Sequence, residues 1–77
     1  MIYLIVNRKE NICKIGYSNN PKKRLNELQV GNSNELQLLK TIEGNQQQEA
    51  ILHSLFFDFN LRGEWFIYSN EIKKYFN

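Results

Sequence analysis

The sequence predicts a small α+β domain in which helices pack against an antiparallel sheet. Three observations predict this class: short β-branched runs joined by few polar residues, segments with apolar residues at helical spacing, and a length of 77 residues. A chain of this length is expected to fold as one domain over residues 1–77. Its hydrophobic fraction of 42% is sufficient for a packed core.

The first two elements are expected to form a β-hairpin. Residues 2–6 and 12–17 have strand composition, and the polar residues 7–11 between them are too few for a parallel crossover. Side chains alternate along a strand, so Tyr3 and Lys14 share a face only if paired residue numbers add to an odd number. We predict that odd register, for example with Tyr3 opposite Lys14.

A helix followed by a third strand is predicted next. Asn20 is suited to cap the helix, Pro21 to begin it, and Gly31 to end it in a left-handed conformation. The strand covers residues 36–42, with Leu36, Leu38 and Ile42 expected on one face.

The second helix is predicted from Gln46 to about Asn60, with apolar residues three and four apart along one stripe. Asn45 and Gln48 have the spacing of a capping box. A short extended segment over residues 65–68 and a last helical piece capped by Ser69 complete the order β-β-α-β-α, then a short strand and helix.

The composition excludes several classes of protein. One cysteine and one histidine exclude both an internal disulfide framework and a Cys/His zinc site. No apolar run approaches the roughly 18 residues of a membrane span. No basic residue precedes the apolar N-terminal run, so a signal peptide is not expected. We expect no membrane partner and a cytoplasmic location, which is the host cytoplasm if a phage encodes the chain.

Charge is distributed unevenly along the chain. Residues 1–26 contain six basic residues and one acidic residue, whereas residues 27–77 contain four basic and seven acidic residues. A basic N-terminal third can bind a polyanion such as DNA, although a merely solvated surface has the same composition.

Four polar or ionisable residues stand out, each with a structural alternative. Glu49 lies on or beside the apolar stripe of its helix, where the helix dipole also favours an acid. Lys14 lies mid-strand and could face solvent. Tyr3 could simply pack in the core. Arg24 flanks the buried side of its helix and could form a surface ion pair with Glu27 or Glu35.

His53 and Cys13 invite chemical interpretations that the sequence does not favour. His53 follows Glu49 by four residues, but two ligands do not make a zinc site, so a hydrogen-bonded core histidine is the expectation. Cys13 lies between strand residues whose burial would raise its pKa and make it a poor nucleophile.

The order of these residues resembles the GIY-YIG nuclease family. The segment Met1-Ile2-Tyr3 stands for GIY, and Lys14-Ile15-Gly16 stands for YIG. Arg24 follows eight residues after the glycine, and Glu49 lies on a later helix. The segment 62–66 is similar to the closing segment of a phage- and virus-associated branch with KIG in place of YIG. The resemblance covers essentially all 77 residues.

The resemblance implies a metal-dependent DNA endonuclease on a three-stranded antiparallel sheet flanked by helices. It implies that Glu49 binds one Mg²⁺ (or Mn²⁺) and that Arg24 neutralises charge on the phosphoryl oxygens. Tyr3 would orient or deprotonate the attacking water. Lys14 stands at the position of the family's proposed general base, so Lys14 and Tyr3 both remain candidates for that role.

Tyr17 and His53 are accessory candidates. Because 77 residues leave no room for a specificity domain, recognition is expected to be weak, structure-based, or supplied by a homodimer or a partner protein. Two alternatives remain: a DNA-binding module that has lost cleavage, and a protein-interaction module that uses Tyr68, Tyr75 and Phe76.

Overall fold

The computed structural model describes all 77 residues and has the predicted α+β class. Its strands are β1 Ile2–Asn7, β2 Ile12–Tyr17, β3 Leu36–Ile42, β4 Asn60–Arg62 and β5 Trp65–Ile67. Its helices are α1 Pro21–Val30, α2 Gln46–Leu55 and α3 Asn70–Phe76, with one 3₁₀ turn at Phe57–Phe59. None of the helices combines the length and hydrophobicity needed to cross a membrane.

The five strands form one antiparallel sheet in the order β3-β1-β2-β5-β4. The three-stranded sheet expected from the resemblance is its β3-β1-β2 part, and the short segment at Trp65 adds a hairpin to the free edge of β2. Tyr3 pairs with Gly16, and Lys14 pairs with Ile5, so paired numbers add to 19. The odd register is confirmed, but the example with Tyr3 opposite Lys14 is wrong by two residues.

Each face of the sheet carries a separate core, because β1 is buried at every position. One face packs against α2 and α3 through Leu52, Phe56, Ile72 and Phe76. The opposite face carries Tyr3, Ile5 and Leu36 beneath α1. Side chains on one face are therefore separated from those on the other by the thickness of the sheet.

The predicted helix starts are confirmed at all three helices. The side chain of Asn20 accepts from the Lys23 N–H, and Pro21 occupies the first turn. Asn45 and Gln48 form both hydrogen bonds of a capping box. Ser69 accepts from the Ile72 N–H.

The predicted end of α1 is confirmed in position but not in conformation, and the predicted end of α2 is wrong. Helix α1 ends at Val30 with Gly31 as its C-cap, but Gly31 has φ −94°, which is not left-handed, and its N–H donates to the Gln29 carbonyl. Helix α2 ends at Leu55 rather than near Asn60, because Asn60 begins β4 and pairs with Phe66. The Asn60 side chain then donates to the Gly63 carbonyl at 2.8 Å and closes the β4–β5 hairpin.

Candidate functional site

Tyr3 lies on the α1 side of the sheet, directly over the backbone of Gly16. Its side chain is 1% exposed, and the two residues are cross-strand partners. A Cβ added at Gly16 would lie 2.9 Å from Tyr3 Cε2 and would also collide with Cζ and the hydroxyl oxygen. The glycine is therefore required for Tyr3 to lie flat on β2.

Lys14 lies two residues before Gly16 and so occupies the same face as Tyr3. It is buried, with 8% of its surface exposed. Its Nζ lies 3.0 Å from Glu64 Oε1 and 5.5 Å from the centre of the Trp65 ring. Lys14 therefore does not face solvent as an unpaired lysine: it makes an ion pair and a cation–π contact.

Arg24 reaches the same face from α1. Its guanidinium faces the Tyr3 hydroxyl and also pairs with Glu27 at 3.5 Å. The side chain is 42% exposed. The predicted surface ion pair with Glu27 is thus present together with the contact to Tyr3, and the side chain remains partly exposed to solvent.

Glu49 and His53 approach from α2, at the point where β5 stops pairing with β2. The last paired residue of β2 on that side is Lys14, so Ile15 and Tyr17 have edge groups that β5 does not reach. His53 Nε2 donates to the Ile15 carbonyl oxygen at 2.7 Å. The Tyr17 N–H faces the Glu49 carboxylate. Two residues one helical turn apart therefore cover the free edge of β2.

His53 is the hydrogen-bonded core histidine that the sequence favours. A carbonyl oxygen only accepts, so Nε2 of His53 carries a proton and is not free to bind a metal. Its ring also packs edge-on against Phe66, with centroids 5.0 Å apart. No group of three or more His, Cys, Asp or Glu side chains is arranged to hold a metal ion.

Electrostatic effects connect the candidate residues with Glu64, an acid that the sequence analysis did not single out. Burial raises the pKa of Tyr3, and the carboxylates of Glu64 and Glu49 raise it further, whereas Arg24 opposes the rise. Tyr3 is therefore protonated near neutral pH and can donate a hydrogen bond.

The pKa of Glu49 is also raised, first by burial and then by the charge of Glu64. His53, Lys14 and the Tyr17 N–H oppose that rise. A carboxylate held in this environment gains stability from an added cation. Tyr3 from β1 is therefore within electrostatic reach of Arg24 from α1 and of Glu49 from α2, and Glu49 is within reach of Lys14 from β2.

Glu64 was not singled out from the sequence. It lies in the turn before β5, and its backbone carbonyl also accepts from the Ile15 N–H at 3.1 Å. The available signal was an acid next to Trp65 in the closing segment. Its pairing with Lys14, fifty positions earlier, could not be read from local pattern.

Two further predictions concern Tyr17 and Cys13. The alternation of β2 puts the Tyr17 side chain on the face opposite Tyr3 and Lys14, where its hydroxyl donates to Asn19 Oδ1 at 3.1 Å. Its backbone N–H faces the Glu49 carboxylate. Cys13 is fully buried, which raises the pKa of its thiol to about 12 and confirms that it is a poor nucleophile.

The aromatic surface suggested for a protein-interaction module is only partly present. Phe76 is buried against the sheet, so it is not available as a contact residue. Tyr68 is half-buried beneath the Lys73 ammonium. Tyr75 is 49% exposed.

The fold and the site define a small α+β module with a basic and acidic cluster at the end of a β-hairpin. The chain belongs to the T5orf172 domain family, whose model matches residues 1–76. This family is phage-associated and is often linked to nucleases. No curated protein and no solved structure gave a significant match to the chain.

Proposed function

We propose that this protein is a metal-dependent DNA endonuclease of GIY-YIG type that hydrolyses phosphodiester bonds. The observation that carries the proposal is that Tyr3, Lys14 and Arg24 lie on the α1 side of the sheet, while Glu49 from α2 meets the free edge of β2 within electrostatic reach of Tyr3 and Lys14. Family membership supports a nuclease-like or DNA-binding role.

Glu49 is the residue that would hold the divalent cation, Mg²⁺ or Mn²⁺. A carboxylate oxygen is the ligand type that such hard cations prefer, and a single protein carboxylate leaves most coordination positions to water. The raised pKa of Glu49, caused by burial and by Glu64, indicates an acid that a cation would stabilise. Bound there, the cation would polarise the scissile phosphate and stabilise the leaving 3′ oxygen.

The remaining groups act on the phosphate and the water. Arg24, half exposed, is placed to neutralise charge that develops on the phosphoryl oxygens. Tyr3 is protonated, so it orients the attacking water by hydrogen bonding rather than by removing its proton. Lys14, held by Glu64 at 3.0 Å, supplies a fixed positive charge beside Tyr3.

The test is the nicking of supercoiled plasmid at saturating DNA with Mg²⁺. Glu49→Gln and Arg24→Ala should each lower the rate by roughly 100-fold or more, the usual effect of losing one electrostatic contact to a transition state. Exposed residues supply the matched controls, Glu43→Gln and Lys23→Ala, which should nick at the wild-type rate. Wild-type rates in both site variants would refute the proposal.

Metal binding is tested separately from activity. Mn²⁺ added to the protein should broaden the Tyr17 amide resonance, because that N–H faces the Glu49 carboxylate. Glu49→Gln should abolish the broadening, and Glu43→Gln should not. Equal broadening in wild type and Glu49→Gln would remove Glu49 as the metal ligand.

A DNA-binding module without cleavage is the second candidate function. The ion pair between Lys14 and Glu64 favours it. Lys14 stands where the GIY-YIG family has its proposed catalytic tyrosine, and its charged ammonium is already paired with a carboxylate. This candidate predicts salt-dependent DNA binding by a protein that does not nick DNA at any Mg²⁺ concentration.

A further inference from the structure

A groove runs between α1 and β3, on the side of α1 away from Arg24. Its volume is about 700 Å³. Lys22, Leu25 and Asn26 line it from α1, because residues three and four apart share one helix face. Residues 37–39 of β3 and Arg8, just after β1, complete it. Leu25 and Leu38 are partly buried against the Tyr3 core, whereas both basic side chains are exposed.

The groove continues into a second hollow of about 380 Å³ that shares Arg8 and Gln37 with it. No hydrophobic residue lines this second hollow, and it contains Lys9, Asn34 and one acid, Glu35. Gln37 accepts a hydrogen bond from Arg8 Nε at 2.6 Å, which holds the guanidinium where the groove meets the second hollow.

Arg8 and Lys22 have no acidic partner. The chain contains two salt bridges, Lys14 to Glu64 and Arg24 to Glu27, and neither involves the groove. The groove therefore presents two uncompensated cations above an apolar floor with amide side chains beside it. That combination suits a nucleic-acid strand, whose phosphates pair with cations while sugars and bases contact apolar and amide groups.

We propose that this groove binds the backbone of the duplex DNA strand that flanks the scissile phosphate. The inference rests on the proposed endonuclease function, and it adds a substrate subsite outside the catalytic cluster. Lys22 and Arg24 lie on different sides of the same helix turn. A helix is about 10–12 Å across, so a phosphate in the groove is a different one from the phosphate at Arg24.

A second basic cluster provides the matched control. Lys40, Lys73 and Lys74 line a hollow of about 500 Å³, whose Leu4 and Phe76 belong to the core of the α2 and α3 side. Lys73 and Lys74 belong to α3, on the face of the sheet opposite Arg24 and α1, and this hollow meets the groove only at Leu39 on the edge of β3. The two clusters carry similar charge, so a difference between them in DNA binding would come from their position.

The experiment measures anisotropy of a labelled DNA duplex in EDTA, so that cleavage does not occur, over a range of salt concentrations. The test variant is Arg8→Ala with Lys22→Ala, and the control is Lys73→Ala with Lys74→Ala. Removing two phosphate contacts should lower the slope of log K against log salt by about 1.8. Between about 50 and 200 mM salt, the wild-type protein should therefore lose about 12-fold more affinity than the groove variant.

The control should keep the wild-type slope. An unchanged slope in the groove variant, an equal loss in the control, or no binding by the wild-type protein would overturn the inference. If only the groove variant loses slope but the wild-type protein never nicks plasmid, DNA binding in the groove is supported and the endonuclease function is refuted. Normal nicking with an unchanged slope in the groove variant would refute the groove alone.

Discussion

Gly16→Ala tests whether the Tyr3 position depends on a missing side chain. The new Cβ would lie 2.9 Å from Tyr3 Cε2 and would collide with Cζ and the hydroxyl oxygen, whereas ordinary contacts begin at 3.4 Å. The ring must withdraw by at least the difference, 0.5 Å at Cε2, and the hydroxyl must move further. Tyr3 is 1% exposed and packs with Ile5 and Leu36 beneath α1, so its movement must displace neighbouring side chains.

The expected cost is the usual overpacking penalty of about 1–3 kcal/mol. For a domain of this size each kcal/mol lowers Tm by about 4–8 °C, so thermal unfolding should show a fall of at least about 4 °C. Nicking should fall further than stability predicts, because a misplacement of about 1 Å can cost about 100-fold in rate. The rate is therefore measured well below the Tm of the variant.

Gly31→Ala is the matched control, because a Cβ there has no neighbour within 4 Å and φ is −94°. It should leave stability unchanged or raise it by up to about 1 kcal/mol. Combining Gly16→Ala with Tyr3→Phe removes one of the colliding atoms and should recover part of the loss in stability. Equal Tm values for Gly16→Ala and Gly31→Ala would refute the reasoning.

Three further predictions concern stability, measured by urea denaturation. Glu49→Gln should be more stable than wild type near pH 7. Because the folded pKa of Glu49 is raised by burial and Glu64, ionisation above that pKa favours the unfolded chain. The difference should vanish below the ordinary value of 4.5, and a less stable variant at pH 7 would contradict it. Glu64→Ala should cost about 1 kcal/mol or more, and more than Lys14→Met, because it strands a lysine that is 8% exposed whereas Glu64 is 40% exposed and can be solvated. A larger loss of stability in Lys14→Met than in Glu64→Ala would show that an unpaired Lys14 ammonium is not the costly group. Asn45→Ala should cost about 1 kcal/mol through loss of the capping box, while the exposed Gln47→Ala should cost less than about 0.5 kcal/mol. Equal effects would remove the cap as the cause.

Features of the fold that depend on a few neighbouring residues could be predicted from the sequence. Asn20, Asn45 and Ser69 cap helices through N–H groups only three positions away. The shared face of Tyr3 and Lys14 followed from strand alternation and the parity of the register. These relations need no knowledge of what packs against them.

Features set by distant pairing could not be predicted. The apolar stripe of α2 continues to Phe59, but pairing of Asn60 with Phe66 takes the chain out of the helix after Leu55. Glu64 contacts Lys14 because β5 adds to the edge of β2, and no local pattern carries that pairing. The sequence therefore indicated which residues could form a site but not the acid that completes it.

The free edge of β2 explains why an acid, Glu49, and a histidine, His53, lie one turn apart on α2. Strand β5 ends its pairing with β2 at Lys14, so the Ile15 carbonyl and the Tyr17 N–H would otherwise lack partners. His53 donates to the former, and Glu49 faces the latter. Glu49 thus supports the strand edge as well as the proposed metal site, and its removal would disturb both. The isosteric Glu49→Gln keeps an oxygen facing the Tyr17 N–H, so it separates the loss of the charge from the loss of the edge contact, which Glu49→Ala does not.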